Sequence, residues 1–172
     1  MNKTLEDLKN RRSIRKYKAE PVTRAELDAV LEAGMYAPTA MGAQRVCIVA
    51  VTNKADRDEI SRLNGVVMNN PNDPFYGAPV VCVVFGDGTW PMAQKDGSLV
   101  MGNMLNAAYA LGLGACWIDR AEPVFQTAEG KALMKKWGVP EGYVGIGNCI
   151  LGYPDEAPEP KPRKEGYVIY AE

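Results

Sequence analysis

Apolar residues concentrate in four short runs along the chain, and more polar segments of helical periodicity lie between them. Short apolar runs that are rich in β-branched residues and bounded by Gly, Pro or Asn are typical of buried strands. We therefore predict one β-strand in each of RVCIVAV (45–51), PVVCVVFGD (79–87), GACWI (114–118) and GYVGIGNCILGYP (142–154). A weaker run in the tail, YVIY (167–170), predicts a last short strand.

The segments between the runs carry the start and stop signals of helices. The T-x-x-D spacing from Thr4 predicts a capping box and a short first helix that ends near Arg11. The T-x-x-E spacing from Thr23 predicts a second capping box, whose helix is stopped by Pro38. Further helices are predicted over 54–64, about 91–111 and 127–137.

The order of these elements indicates the fold class. Strands that alternate with helices are typical of an α+β or α/β fold. A length of 172 residues fits one domain, spanning 1–172. One segment, GVVMNNPNDPFYGAP (65–79), is too long for a simple connection. Long loops in compact domains are usually functional or disordered, and the aromatic pair Phe75 and Tyr76 favours a functional loop.

The charge balance excludes one large class of partner. Twenty Lys and Arg residues face twenty-one Asp and Glu residues, for a net charge of −1. Nucleic-acid binding depends on a basic field, so we expect no nucleic-acid partner. The N-terminal MNKTLEDLKN lacks the apolar core of a secretory signal. The longest uncharged run, 97–118, is interrupted by Asn and Gly residues. We therefore expect a soluble cytoplasmic protein with no membrane partner.

The cysteine and histidine counts remove the common catalytic sites. The chain has no histidine, and its four cysteines lie at positions 47, 82, 116 and 149, one in each apolar run. Zinc sites and Cys-His nucleophiles need close pairs of these residues, so we predict no metal site and reduced cysteines that act as small core residues. The chain has no G-x-x-x-x-G-K-[ST] loop, and GIGNCI (145–150) lacks the third glycine of a dinucleotide-binding turn. The chain is then either not an enzyme or takes its chemistry from a cofactor.

One short stretch concentrates positive charge. RRSIRKYK (11–18) places five cations in eight residues, where the first predicted helix ends. Guanidinium groups and a serine hydroxyl are the groups that bind a terminal phosphate. A second basic group, PKPRK (160–164), lies in the proline-rich tail. The two groups could converge on one dianion, although charge runs are more often solvated surface.

Ordered motifs over nearly the whole chain resemble the nitroreductase family of FMN-dependent oxidoreductases. RRSIRKY is similar to the family segment R-R-S-x-R-x-[FY], and APTAMGAQ (37–44) is similar to the A-P-[ST]-x-x-x-x-Q that follows it. The likeness continues through YGAPVVCVVFGD, ALGLGACWIDR and GYPDEAPEPKPRK. The resemblance implies an α+β fold with a mixed sheet flanked by helices. It also implies an interlocked homodimer that binds FMN at the subunit interface, with the C-terminal segment of each chain exchanged onto its partner.

The resemblance also implies roles for the matching residues. The phosphate and ribityl ligands of the family correspond to Arg11, Arg12 and Ser13. The cation beside the flavin pyrimidine edge corresponds to Arg15. The loop that covers the isoalloxazine from the other subunit corresponds to Pro38, Thr39, Ala40, Met41 and Gln44. The strand end whose backbone lies against flavin N5 corresponds to Trp117, Ile118 and Asp119. The tail cations that close on the phosphate correspond to Lys161 and Arg163.

Several of these residues have a structural alternative, and the chain departs from the family pattern at two places. Met41 and Trp117 are also suited to a core, Asp119 to a turn, and the pair at 75–76 to packing of its own loop. The chain reads QRV (44–46) where many members have Q-P-W. The loop over 64–79 lacks a lysine that some larger members place near the flavin, which leaves Arg15 as the main candidate for that charge.

The activity that the resemblance implies is reduction of a small electron-poor acceptor, such as a nitroaromatic or a quinone, with NADH or NADPH as electron donor. Donor and acceptor would use the same face of FMN in turn, which predicts ping-pong kinetics. Two alternatives stay open. The chain could be an FMN enzyme with another natural substrate, such as an enone reductase, a flavin reductase or a dehalogenase, or a flavin-binding module without turnover.

Overall fold

Six α-helices and one four-stranded sheet make up the regular structure of residues 2–172, the part of the chain that the computed structural model describes. Helices α1 to α6 span Lys3–Asn10, Arg24–Met35, Lys54–Met68, Ala93–Ala110, Ala121–Gln126 and Ala128–Trp137. Strands β1 to β4 span Val46–Val51, Val80–Asp87, Gly114–Ile118 and Tyr143–Gly152. A short 3-10 helix, Ala40–Gly42, precedes β1.

The sheet has the order β1-β2-β4-β3, and each neighbouring pair is antiparallel. The α+β class is confirmed, but the prediction of a mixed sheet is wrong for these strands. The mixed sheet was implied by the family resemblance, whereas in this chain β4 lies between β2 and β3 and runs antiparallel to both of them. Parallel pairing within residues 2–172 is limited to a single bridge between Ser13 and Ala115, at the outer edge of β3.

Both faces of the sheet are covered, so the core has two halves. Side chains of β2 alternate between the two faces of the sheet. Cys82 and Val84 pack against α2 and α4. Val81 and Phe85 pack against α3, α5 and α6. Both central strands are buried along almost their whole length. Burial of each such side chain contributes about 1.5–3 kcal/mol, and this packing fixes the positions of the strand ends.

The four cysteines lie on the four strands, one on each, and all are free thiols. Burial raises the pKa of Cys82 to about 12 and that of Cys47 to about 11. Both side chains are therefore neutral thiols at pH 7. The prediction of small core residues is confirmed for the three buried cysteines, and Cys47 is partly buried against the core.

The helix starts follow capping chemistry, with one correction. The capping box at Thr23 is present, since its Oγ1 accepts the Glu26 backbone N–H and its own N–H donates to Glu26 Oε2 at 2.9 Å. The box predicted at Thr4 is wrong. Asn2 is the N-cap of α1, and its side chain accepts the Thr4 backbone N–H at 2.9 Å, because Asn is among the strongest N-cap residues.

Two further predictions differ from the structure. Helix α3 continues to Met68, four residues into the predicted loop, and ends at Asn69 in the left-handed region. The YVIY segment (167–170) is not a strand, and its four side chains are exposed. A strand needs a neighbour for its backbone groups, and the segment pairs with no strand of residues 2–172. The uncharged run over 97–118 forms most of α4 and then β3, and no helix in residues 2–172 has the length and apolar character of a membrane span.

A buried carboxylate joins α3 to α6. Asp56 is 5% exposed, and it accepts hydrogen bonds from Lys136 Nζ at 2.5 Å and from Trp137 Nε1 at 2.9 Å. The hydrogen bond from Lys136, with that from Trp137, lowers the pKa of Asp56 to about 2. Because this value lies below the ordinary carboxyl value of 3.8, the ionised carboxylate stabilises the fold.

We expect Asp56→Asn to lower the free energy of unfolding at pH 7 by about 1–3 kcal/mol, since it removes charge-assisted hydrogen bonds. The carboxylate contribution is complete above about pH 4 and is lost as the pH falls toward 2. Urea unfolding curves of the two proteins should therefore converge over this interval. Asp28→Asn, which removes an exposed ion pair with Arg24, is the control and should cost less than about 0.5 kcal/mol. A difference for Asp56→Asn that is independent of pH would contradict the prediction.

Candidate functional site

The cationic stretch 11–18 begins at the outer edge of β3. Arg11 caps the carboxyl end of α1, and its backbone N–H donates to Asp7 at 2.9 Å. Ser13 then forms the parallel bridge to Ala115, whose carbonyl accepts the Ile14 N–H at 3.0 Å. The stretch is therefore placed by backbone hydrogen bonds to the same strand that carries the CWI segment.

Two guanidinium nitrogens of this stretch are buried without a hydrogen-bond partner in residues 2–172, Arg11 Nη1 and Arg12 Nε. Arg12 already caps α1 through Nη1, which donates to the carbonyls of Lys9 (2.8 Å) and Arg11 (2.7 Å). The charge of Arg11 acts on Cys149, where burial raises the thiol pKa and Arg11 opposes the rise. Unpaired buried charge is costly, so Arg11 is suited to hold an anion.

The carboxyl end of β3 opens into a cavity of about 470 Å³. Trp117, Ile118 and Asp119 line one wall, and Arg15 lines another. The remaining walls come from Arg120 and from the segment after α3, residues 68–76. The structure thus brings Arg15 together with the strand end that the sequence singled out.

Trp117 packs against the core and also lines this cavity. Its indole lies over Gly147 of β4, where a Cβ atom would approach the ring to 2.8 Å. The side chain is partly buried against the core half that contains α4. The two interpretations of Trp117 are therefore compatible.

The wall after α3 is anchored by one carboxylate. Asp73 accepts hydrogen bonds from Ser61 Oγ and Arg57 Nη2, each at 2.6 Å, and from two backbone N–H groups of its own loop. Burial raises the pKa of Asp73, but these hydrogen bonds together outweigh it and hold the pKa below its usual value. Phe75 is fully buried, whereas Tyr76 has a φ of 53° and lines the cavity. The aromatic pair thus has one anchoring member and one exposed member.

Sequence reasoning missed three polar residues at this end of the sheet. Arg120, with a φ of 73°, adds a second cation to the cavity. Asn64 and Asn148 are fully buried beside the same strand end. A signal existed for two of them, because Arg120 directly follows CWID and Asn148 is the only amide side chain in the apolar run VGIGNCILG. Within residues 2–172, no group of metal-ligating side chains is suited to bind an ion.

The segment 38–44 lies away from this cavity in the single chain and does not line it. The Ala40 N–H donates to Asp96 Oδ1 at 2.9 Å, and the Gln44 N–H donates to Thr39 Oγ1 at 3.1 Å. Met41 and Gln44 have φ values of 56° and 51°. Asp96 is 2% exposed, whereas Met41 is 94% exposed. A buried carboxylate, unnoticed in the sequence, therefore holds a strained loop that presents an apolar side chain to solvent.

The tail is tied to the body only at its beginning. The Lys18 N–H donates to the Tyr153 carbonyl at 2.9 Å, and the Arg15 N–H donates to Glu156 Oε1. All residues from 155 to 172 are exposed. Lys161 and Arg163 form no ion pair within residues 2–172. One chain alone thus leaves the tail cations unpaired and the 38–44 loop outside the cavity.

Comparisons with known proteins agree on one family. The profile of the nitroreductase family matches residues 8–71 and 66–153. An NADPH-flavin oxidoreductase of Vibrio harveyi is 29% identical over 189 residues, which cover 100% of this chain and 74% of the relative. An FMN reductase [NAD(P)H] of Bacillus subtilis is 25% identical over 188 residues, which cover 95% of this chain and 70% of the relative.

The fold comparison reaches the same family. A nitroreductase with bound FMN from Bacteroides fragilis superposes with a TM-score of 0.92 at 29% identity, with 100% of both chains covered. A nitroreductase with bound FMN from Desulfitobacterium hafniense superposes with a TM-score of 0.91 at 26% identity, again over 100% of both chains. By its sequence profile and its fold, the chain belongs to the nitroreductase family.

Proposed function

We propose that this chain is an FMN-dependent NAD(P)H oxidoreductase that reduces nitroaromatics, quinones or similar electron-poor small molecules. The observation that carries the proposal is the arrangement on β3. Ser13 bridges to the outer edge of this strand, and two residues before it Arg11 carries a buried guanidinium nitrogen without a partner in residues 2–172. A cavity of about 470 Å³ opens at the carboxyl end of the strand. An anion site and a ligand cavity on one strand suit a cofactor with a phosphate at one end and a flat ring system at the other.

The residues of the site fit FMN in charge and in kind. Arg11 and Ser13 would hold the phosphate, since guanidinium and hydroxyl groups are its usual ligands. Arg12 would contribute Nε, because its Nη1 already caps α1. Arg15 and Arg120 line the cavity and would place two cations beside the ring system. When bound, FMN supplies the chemistry that the chain itself lacks, by accepting a hydride from NAD(P)H at N5 and passing the electrons to the acceptor.

The protein groups in the cavity would then orient the flavin ring system and polarise it. Arg15 would stabilise negative charge near flavin N1, and the backbone at 117–119 would lie against the central ring. If donor and acceptor both enter this cavity, they use the same space in turn, as a ping-pong mechanism requires. Neither role needs a histidine or a nucleophile.

We further propose that the site is completed in an interlocked homodimer. Met41 and the tail residues Tyr167, Ile169 and Tyr170 are each at least 80% exposed. Apolar segments of this kind mark surfaces that another chain covers. The 38–44 loop of one chain would cover the ring system bound to the other, and Lys161 and Arg163 of the exchanged tail would close on its phosphate.

The direct test is an anaerobic titration of the purified protein, loaded with FMN, with NADH and with NADPH. We expect loss of the oxidised flavin absorbance and its recovery on addition of a nitroaromatic or a quinone. A flavin-binding module would bind FMN and show neither change. If FMN failed to raise the melting temperature of the protein, the proposal would be wrong.

We expect Arg11→Ala to weaken FMN binding at least tenfold, because a charge-assisted hydrogen bond contributes about 1.5–3 kcal/mol. The dissociation constant follows from the quenching of FMN fluorescence. Arg24→Ala, on an exposed face where Arg24 pairs with Asp28, is the matched control and should bind FMN as the wild type does. Equal affinity of both variants would remove Arg11 from the phosphate site. Arg163→Ala should weaken binding in the same direction if the tail closes on the partner.

We expect Arg15→Ala to lower the reduction potential of bound FMN, since it removes a cation that favours the reduced, more negative flavin. A tenfold loss in the relative affinity for reduced FMN corresponds to about 30 mV for a two-electron couple. Spectroelectrochemical titration measures the potential. Lys16→Ala, whose partner is the exposed Asp155, should leave it unchanged. A wild-type potential in Arg15→Ala would assign the charge near the flavin to another residue.

A further inference from the structure

We propose that Asn64 and Asn148 are positioning residues that aim two backbone N–H groups at the end of β3 toward the flavin ring. The proposal rests on the FMN site proposed above. Neither asparagine lines the cavity, so each would act through the backbone of Ile118, Asp119 and Arg120.

The two side chains reach the same carbonyl from different elements. Asn64, on α3, donates through Nδ2 to the Asp119 carbonyl at 3.0 Å. Asn148, on β4, donates through Nδ2 to the Ile118 carbonyl at 3.2 Å and to the Asp119 carbonyl at 3.4 Å. Both side chains have no exposed surface. Two successive carbonyl groups are therefore held toward the protein interior.

Peptide geometry gives the direction of the matching donors. No peptide bond in residues 2–172 is cis, and in a trans peptide the C=O and N–H groups point in opposite directions. The N–H groups of Asp119 and Arg120 belong to the two peptides whose carbonyls face the asparagines. Pairing of β3 with β4 ends at Ile118, and both residues line the cavity. Their N–H groups are thus directed to the cavity side, where successive donors bind an electron-rich acceptor.

The same contacts also strengthen and fix these donors. A peptide whose carbonyl accepts hydrogen bonds is a stronger N–H donor, because hydrogen bonds in a chain polarise one another. Arg120 has a φ of 73°, which is a strained conformation for a non-glycine residue. Its side-chain Nε donates to Asn64 Oδ1 at 3.3 Å, so Asn64 holds both the Asp119 carbonyl and the Arg120 side chain.

Asn148 carries a cost that partly offsets the two hydrogen bonds it donates. Its Oδ1 is buried without a hydrogen-bond partner in residues 2–172. Rotation of the amide by half a turn would place this oxygen against the two carbonyls instead, which is worse. An unsatisfied buried acceptor costs about 1–3 kcal/mol, and an apolar side chain of similar shape would avoid that cost. A polar group retained at such a position indicates a use at the strand end.

The test compares Asn148→Leu and Asn64→Leu with a matched control, Asn103→Leu. Asn103 is partly buried and also donates through Nδ2 to a backbone carbonyl, that of Ala33 at 3.0 Å, on α2. Three quantities are measured for each protein: the melting temperature, the dissociation constant of FMN and the reduction potential of bound FMN. The potential is the deciding quantity, since a purely structural role lowers stability and FMN occupancy without moving it.

We expect Asn148→Leu to keep the melting temperature of the wild type and to raise the flavin potential. A donor to N5 favours oxidised flavin, in which N5 is an acceptor, so a weaker donor favours reduction. A three- to tenfold change in relative affinity is expected, and tenfold corresponds to about 30 mV. Asn64→Leu should shift the potential in the same direction, and the double variant should shift it by less than the sum, since both amides serve one carbonyl. Asn103→Leu should leave it unchanged.

Either of two results overturns the inference while FMN binding stands: a wild-type potential in folded, FMN-loaded Asn148→Leu, or an equal shift in Asn103→Leu. If Asn64→Leu does not fold, Asn148→Leu decides alone. Failure of the wild-type protein to bind FMN would instead overturn the proposed function.

Discussion

The antiparallel pairing of β3 with β4 is the interaction on which the candidate site depends. This pairing places Trp117 over Gly147 and brings Asn148 level with Ile118. The outer edge of the same strand binds the backbone of residues 13–14, which carries the cationic stretch. The proposed phosphate site, the cavity and the proposed pair of backbone donors therefore all depend on the position of this one short strand. Displacement of β3 would move all three together.

One chain supplies only part of the proposed site, and the missing parts have a common character. The 38–44 loop is held in a strained conformation by Asp96, yet it presents Met41 to solvent. The tail keeps Lys161 and Arg163 exposed beyond a firm attachment at Tyr153. A strained loop and exposed apolar side chains of this kind persist when another surface binds them. The 38–44 loop and the basic tail, two of the motifs that the sequence made conspicuous, are thus the parts of the site that a single chain leaves incomplete.

Much of the fold could be predicted from local patterns, because strands, caps and helix stops depend on neighbouring residues. The capping box at Thr23 and the four cysteine-bearing strands are of this kind. Strand direction was not predictable, since an apolar run is the same in either direction. The mixed sheet was an implication of the family resemblance, and the four strands of residues 2–172 pair antiparallel instead. The motifs singled out Arg15 and residues 117–119, and these residues line one cavity. Asn64 and Asn148 escaped because their role depends on α3 and β4 meeting at one carbonyl, which no sequence spacing records.

When a cofactor carries the reactive atom, the protein has to supply orientation and electrostatics, and the backbone provides both. A backbone donor has no identity in the sequence, so the residue that bears it is free to vary while its direction is fixed elsewhere. Here that direction is fixed by buried amides that do not touch the cavity. The polar residues that matter most for such a site are then expected in the core, and one of them has an unsatisfied oxygen.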